Sequence, residues 1–230
     1  MVGMVGETED TFWTSLEQII RMAPDSVTIY QLEIPRNTPL FRSMQNGRLA
    51  GELAAWDVKR ARLAAAFDRL EEAGYSIRSA YAAARNTRHR RFVYQEEQYR
   101  GADLVGIGLS SFSYVAGVHY QSHASMDEYL ESLADGRLPI SRAYVLNKRD
   151  RLVREFVLQL KLGRVEARPF RQKHGAAIRD FFAEPLQKFA ARGWLTFNDE
   201  TVTLTRQGLM RVDRMLSDFY LSEHCGQSYW

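Results

Sequence analysis

Within its first 34 residues the chain lays out a strand, a helix and a second strand, and this order restricts its fold more than any other feature. Residues 1–6, MVGMVG, are apolar and punctuated by glycine, and read as the end of a buried strand. Glu7 and Thr8 lead into a helix with Phe12, Leu16, Ile19 and Ile20 on one apolar face. Thr8, with Thr11 or Asp10, caps its start, and Pro24 and Asp25 stop it. Residues 27–34, VTIYQLEI, form a second buried strand ended by Pro35. Two strands joined through a helix make a βαβ unit, which implies a parallel sheet and an α/β fold.

A second βα unit follows. Residues 50–73 are rich in Ala, Leu, Arg and Glu and form the clearest helix, with Leu53, Trp56, Leu63, Phe67 and Leu70 on its buried side and Gly74 closing it. Residues 75–81 are the next strand, and 91–94 a short one. Between them Arg85, Arg88, His89, Arg90 and Arg91 are read either as a solvated loop or as an anion site. The aromatics among basic residues at 90–99 suit an amphipathic strand, or stacking on bases.

Residues 101–121, GADLVGIGLSSFSYVAGVHYQ, hold an apolar run from Leu104 to Leu109 broken by Gly106 and Gly108. Ser110, Ser111 and Ser113 and a second strand-like piece through His119, Tyr120 and Gln121 come next. Glycine inside a strand marks a bulge or a close approach by backbone or ligand. The stretch therefore reads as a glycine-loosened core hairpin or as a ligand-facing strand end.

After Gln121 the character becomes helical. A helix at 126–134 closes at Gly136, a crossing segment runs over 138–146, and Asn147 caps a helix at 148–162 with Leu152, Phe156, Val157 and Leu160 inward. A short helix at 170–175 and a third at 176–191, with Ile178, Phe182, Leu186 and Phe189 inward, precede a hairpin at 193–204 turned by Asn198 and Asp199. Thr205 starts a last helix over 207–221. Three helices, a hairpin and a helix have the order of a winged-helix-like module. The boundary falls between Gly117 and Leu146, and divides the chain into domains at 1–122 and 123–230.

Composition narrows the functional classes. The lone cysteine, Cys225, excludes an internal disulfide, fits a reducing cytoplasm, and cannot by itself hold an iron–sulfur cluster. No apolar run has the length of a membrane helix, and the start lacks the pattern of a signal peptide. No hydrolytic triad, phosphate loop or metal-ligand pair stands out, so neither catalytic nor metal residues are assigned. His119 and His123, four apart, lie in a strand-like context that does not favour a shared metal. Glu33 sits at a strand end, where α/β ligand sites lie, and either binds a ligand or faces solvent.

The segments GETEDTFWTSLEQII, PDSVTIYQLEIPRNTPL, EEAGY, GADLVGIGLSSFSYVAGVHYQ, GRLPISRAYVLNKRD, ARGWL and LTRQGL follow one another in fixed order. As a set they resemble the second half of the oxygen-independent coproporphyrinogen III oxidase family of radical S-adenosylmethionine (SAM) enzymes. The resemblance runs from Met1 to about Ser222. It implies that 1–122 are the last strands of a partial β/α barrel and that 123–230 are the family's C-terminal domain. It implies SAM and a four-iron four-sulfur cluster in the intact enzyme, an electron donor, and a tetrapyrrole or other heterocyclic substrate. Tyr30 matches an aromatic position beside the SAM site, Gln121 a glutamine near a second SAM or the substrate, and Ile140 a backbone contact there. The family's CxxxCxxC motif lies far upstream of the matched part and has no counterpart here, so the chain is expected to be a fragment or a degenerate relative. After EEAGY the segment SIRSAYAAAR departs from the heme-pathway oxidases; with YQLEIPRNT it looks closer to a two-SAM methyltransferase and cyclopropanase branch.

Three functional classes follow: the C-terminal portion of a radical SAM oxidoreductase or methyltransferase, a non-catalytic heme or tetrapyrrole binder, and a winged-helix nucleic-acid binder. The last draws on the tail and a pI near 9.0 and is the least favoured. An open half-barrel exposes a sheet edge, so poor solubility or oligomerisation of the isolated chain is expected.

Overall fold

The computed structural model describes residues 1–36, 38–48, 51–85 and 93–224. It is α/β, with two apolar cores. The first is built on helix α1 (Glu9–Met22), strand β1 (Ser26–Thr28), the short helix α2 (Pro39–Gln45), helix α3 (Trp56–Glu72) and strands β2 (Tyr75–Ile77) and β3 (Ala82–Arg85). A capping box between Thr8 and Thr11 opens α1, and Ala23 in a left-handed conformation ends it before Pro24. Phe12 and Leu16 of α1 meet Leu63, Ala66, Phe67 and Leu70 of α3 beneath Val27, Tyr75 and Ala83.

The sheet here has the order β1-β3-β2, antiparallel throughout. The parallel pairing expected across α1 survives as one bridge, Val2 to Gln31, where Val2 N–H donates to Tyr30 O (2.8 Å) and Leu32 N–H to Val2 O (2.9 Å). Strand β3 was not foreseen. Alanine is a weak strand former, but Ala82 and Ala83 are completely buried in the central position, where small side chains let the flanking layers close. Ser79 Oγ makes the turn into β3 by accepting from the N–H groups of Tyr81 and Ala82.

Helix α4 (Val93–Tyr99) occupies part of the segment expected to be strand. Arg88, His89, Arg90 and Arg91 lie outside the described residues. A second antiparallel sheet, β4 (Phe112–Val115), β5 (Val118–Ser122) and β6 (Ile140–Val145), has the order β4-β5-β6, with α5 (Met126–Ala134) between its last two strands. The run from Leu104 to Leu109 is not a buried strand. Leu104 alone bridges, to Tyr114, while Val105 and Ile107 are 64% and 88% exposed. Positive φ at Gly108 and Ser110 turns the backbone out of extended geometry.

The C-terminal module holds the larger core: α6 (Lys148–Leu160), β7 (Arg164–Glu166), α7 (Ala167–His174), α8 (Ile178–Phe181), α9 (Ala183–Ala191), β8 (Leu195–Phe197), β9 (Thr201–Leu204), α10 (Arg206–Leu209) and α11 (Val212–Leu216). Helix, strand, helices and hairpin around the sheet β7-β9-β8 give the winged-helix arrangement. Asn147 and Asp150 form a capping box on α6, and Phe156, Phe170, Phe182, Phe189 and Phe219 stack at its centre. The helix expected over 176–191 breaks at Phe182. Pro185 has no N–H to give to Phe181, and the break moves it into the first turn of α9, where none is needed. The last expected helix breaks at Arg211. That break puts Met210 into the first core, while Val212, Met215 and Leu216 join the second. In return Ala80 and Tyr81, from the β2–β3 turn, belong to the second core.

Candidate functional site

Between the two cores lies a cavity of about 320 Å³. Tyr30, Gln31 and Glu33 enter it just beyond β1, Trp56 and Arg60 from the first turns of α3, and Tyr81 from the β2–β3 turn. Tyr99 ends α4, Lys161 follows α6, and Met210, Arg211, Asp213 and Arg214 come from the α10–α11 junction. Four aromatic rings and four cations therefore face two carboxylates. Such a lining suits a ligand with a flat ring and anionic groups.

Individual contacts fix this arrangement. The rings of Tyr30 and Tyr81 lie 5.3 Å apart between centroids. Tyr81 Oη donates to Asp213 Oδ1, and burial together with that carboxylate pushes the Tyr81 phenol up from its ordinary value. Burial also pushes Tyr99 up to about 12, so both phenols stay protonated. Lys161 Nζ stands 5.5 Å from the Tyr81 ring centroid and 6.0 Å from that of Tyr99; burial lowers its pKa, which Asp213 partly restores. Lys59 donates to Leu32 O (2.7 Å) and lies 4.7 Å from the Trp56 ring. It reaches across Gly3, where a Cβ would meet its side-chain carbons at 2.6 Å. Burial first, and then the nearby Asp213, raise the Glu33 carboxyl above the usual range, against the opposing pull of Lys59. Gln31 Nε2 donates to Met210 O (3.2 Å).

Of the residues singled out in the sequence, Tyr30 and Glu33 line the cavity. Gln121 and Ile140 do not; they lie on neighbouring strands of the second sheet, where Gln121 pairs with Arg142 and Ile140 with Ser122. The Gln121 amide donates to Ser110 O (3.1 Å) and accepts from Arg142 Nε (2.8 Å). Tyr81, Tyr99, Lys161, Arg211, Asp213 and Arg214 were not anticipated. They are spread over more than half of the chain, and no spacing in the sequence signals that the fold brings them together.

His119 and His123 take separate partners: His119 Nε2 accepts from Arg154 Nε (3.0 Å), and His123 Nδ1 lies 3.2 Å from Glu128. Burial and the Arg154 charge keep His119 below its usual pKa, hence neutral near pH 7. Among the described residues Asp150, Glu223 and His224 bring donor atoms within 4.8 Å of one another. Both Asp150 oxygens are engaged, by His224 Nε2 (3.0 Å), the Asn147 N–H (3.0 Å) and Tyr144 Oη (3.3 Å). No helix among the described residues is long and apolar enough to cross a membrane.

Comparison with known proteins gives this geometry a context. Residues 146–211 match the HemN C-terminal domain family. The oxygen-independent coproporphyrinogen III oxidase of Pseudomonas aeruginosa is 28% identical over 240 residues, covering 95% of this chain and 50% of that protein. The heme chaperone HemW of Bacillus subtilis is 22% identical, over 95% of this chain and 57% of that one. Anaerobilin synthase of Escherichia coli O157:H7 is 26% identical over 140 residues. Among solved structures, coproporphyrinogen III oxidase (HemN) from Escherichia coli, described as a radical SAM enzyme, superimposes with a TM-score of 0.74 at 19% identity, over 94% of this chain and 52% of that one. The chain thus resembles the C-terminal half of oxygen-independent coproporphyrinogen III oxidases in sequence and fold, and spans about half the length of the curated relatives it matches.

Proposed function

We propose that this chain is the ligand-binding C-terminal portion of a radical SAM protein that acts on a tetrapyrrole or methylates a related ring, and that the cavity between its cores holds a SAM molecule. The observation that carries the reading is the lining itself, with aromatic rings beside unequal numbers of cations and carboxylates. Tyr30 and Tyr81 offer ring faces for an adenine. Arg60, Arg211 and Arg214 offer donors to a carboxylate, and Glu33 and Asp213 balance an ammonium or sulfonium charge. When bound, SAM supplies a 5′-deoxyadenosyl or methyl group to the reaction. The residues around it orient the ligand and exclude water. We place Gln121 and Ile140 against a second SAM or the substrate, and keep 122/123 as the working boundary between the barrel part and the C-terminal domain.

The iron–sulfur cluster of such enzymes does not fit this chain's own residues. One cysteine cannot supply the several thiolates a cluster needs. A second reading, a heme or tetrapyrrole carrier without radical chemistry, draws on the similarity to the heme chaperone HemW. Both readings place the protein in a reducing cytoplasm, where a lone thiol persists.

Calorimetric titration with S-adenosylhomocysteine (SAH), a chemically inert analogue, and absorbance titration with hemin and coproporphyrin III separate the readings. SAH binding lost in Tyr30→Ala and Arg214→Ala supports the SAM cavity. Hemin binding without SAH binding supports the carrier. Failure of a folded protein to bind any of the three overturns both.

A further inference from the structure

Gln31 carries the one fully buried side-chain atom without a hydrogen-bond partner among the described residues. Its Nε2 donates to Met210 O (3.2 Å), while its Oε1 is fully buried and has no partner. The amide cannot be turned over to cure this. A carbonyl only accepts, so the nitrogen must face Met210, and the oxygen is then fixed on the other side. Leaving a buried acceptor empty costs about 1–3 kcal/mol, and native proteins retain few such groups. Gln31 lines a cavity otherwise rich in donors to an anion: Arg60, Lys161, Arg211 and Arg214. No side chain around it offers Oε1 a hydrogen.

We propose that Gln31 is the ligand-recognition residue of this cavity for a hydrogen-bond donor, and that its Oε1 accepts from an N–H or O–H of the bound molecule. The inference rests on the cavity being the SAM site, and it specifies what that ligand must present: an anionic group toward the arginines and an N–H, such as an exocyclic amine or an α-ammonium, toward Gln31. Because Oε1 is closed to solvent, the donor is admitted by a small shift of the Gln31 side chain about its bond to Met210. A bound donor then relieves the cost of the unpartnered Oε1.

This role has a signature that a structural role lacks. Gln31→Leu relieves the cost of the orphan oxygen and adds a similar one by taking the donor from Met210 O, so the ligand-free protein is expected to melt close to the wild type. Its affinity for SAH is expected to fall about tenfold or more, the scale of one hydrogen bond in a buried site. Gln31→Leu that binds SAH as tightly as the wild type overturns the inference while leaving the SAM cavity standing. So does a variant whose ligand-free melting temperature falls in step with its affinity, since Gln31 would then be packing alone. Wild-type protein that is folded and does not bind SAH overturns the cavity reading and this inference together.

Discussion

The Tyr81 hydroxyl donates to the Asp213 carboxylate across 132 residues of sequence, and so ties the turn of the first sheet to the last helices of the C-terminal module. Tyr81 is buried and Asp213 is solvent-facing, so the acceptor can rehydrate when the donor is lost. Tyr81→Phe is therefore expected to cost about 1–2 kcal/mol, the lower part of the range for a hydrogen bond to a charged group. Urea unfolding measures it; a midpoint indistinguishable from the wild type would show that the bond contributes nothing net.

Glu33 gives the cavity a pH dependence. Its folded pKa is raised by burial and by Asp213, so the folded state holds this proton more tightly than the unfolded chain does. The ionised form thus costs stability at neutral pH, and that cost fades as pH falls from above the ordinary carboxylate range to below it. Glu33→Gln should be more stable than the wild type at pH 7 and equal to it near pH 4, as followed by thermal melts across that range. Binding of an anionic ligand should tighten over the same interval in the wild type, because protonation leaves the cations less opposed.

At the start of α6, Asn147 Oδ1 accepts from the N–H groups of Arg149 and Asp150. Asn147→Ala should cost about 1 kcal/mol, with Asn147→Asp largely restoring it. Equal loss in both variants would mean that the cap is not what holds this turn.

Gly208 lies in α10 where a Cβ would run into the backbone carbonyl of Trp194, which also accepts from the Thr205 N–H. Backbone cannot give way as a side-chain tip can. Gly208→Ala is expected to destabilise by roughly 3 kcal/mol or more, beyond the typical range for a point change. A soluble variant with a wild-type melting temperature would contradict the close approach of Gly208 to the Trp194 carbonyl.

Arg206 bridges Asp68 and Glu71 of α3, and all three side chains are substantially exposed. Such a pair is worth under about 1 kcal/mol and is screened by salt. Arg206→Ala should therefore destabilise slightly at low ionic strength and not at all in about 1 M NaCl.

Local rules made the helices legible. Thr8 and Thr11 at α1, Asn147 at α6, and the inward Phe156, Phe182 and Phe189 of the C-terminal module all read directly from spacing and capping chemistry. What failed was tertiary. Ala82 and Ala83 became a central strand because of what packs on them, against their propensity, and the apolar run at Leu104–Leu109 stayed at the surface. Trp56, expected inward, is exposed at the cavity edge, where Lys59 and Arg60 lie against its ring. Little of the site was visible. Glu33 could be named from a strand end and Tyr30 from the family resemblance, but Tyr81 and Asp213 acquire meaning only once the chain has closed on itself.

The exchange of residues between the cores has a kinetic consequence. Met210 lodges in the first cluster although its neighbours in sequence serve the second, and Ala80 and Tyr81 are lent the other way. A hinge that swung the halves apart would have to pull a methionine and a tyrosine out of their sockets, so the cavity walls separate only when both cores come undone. Traffic into the site is then confined to side-chain motion at its mouth. The slowest-exchanging amides of the two cores should share one opening free energy, as in a molecule with a single global unfolding event.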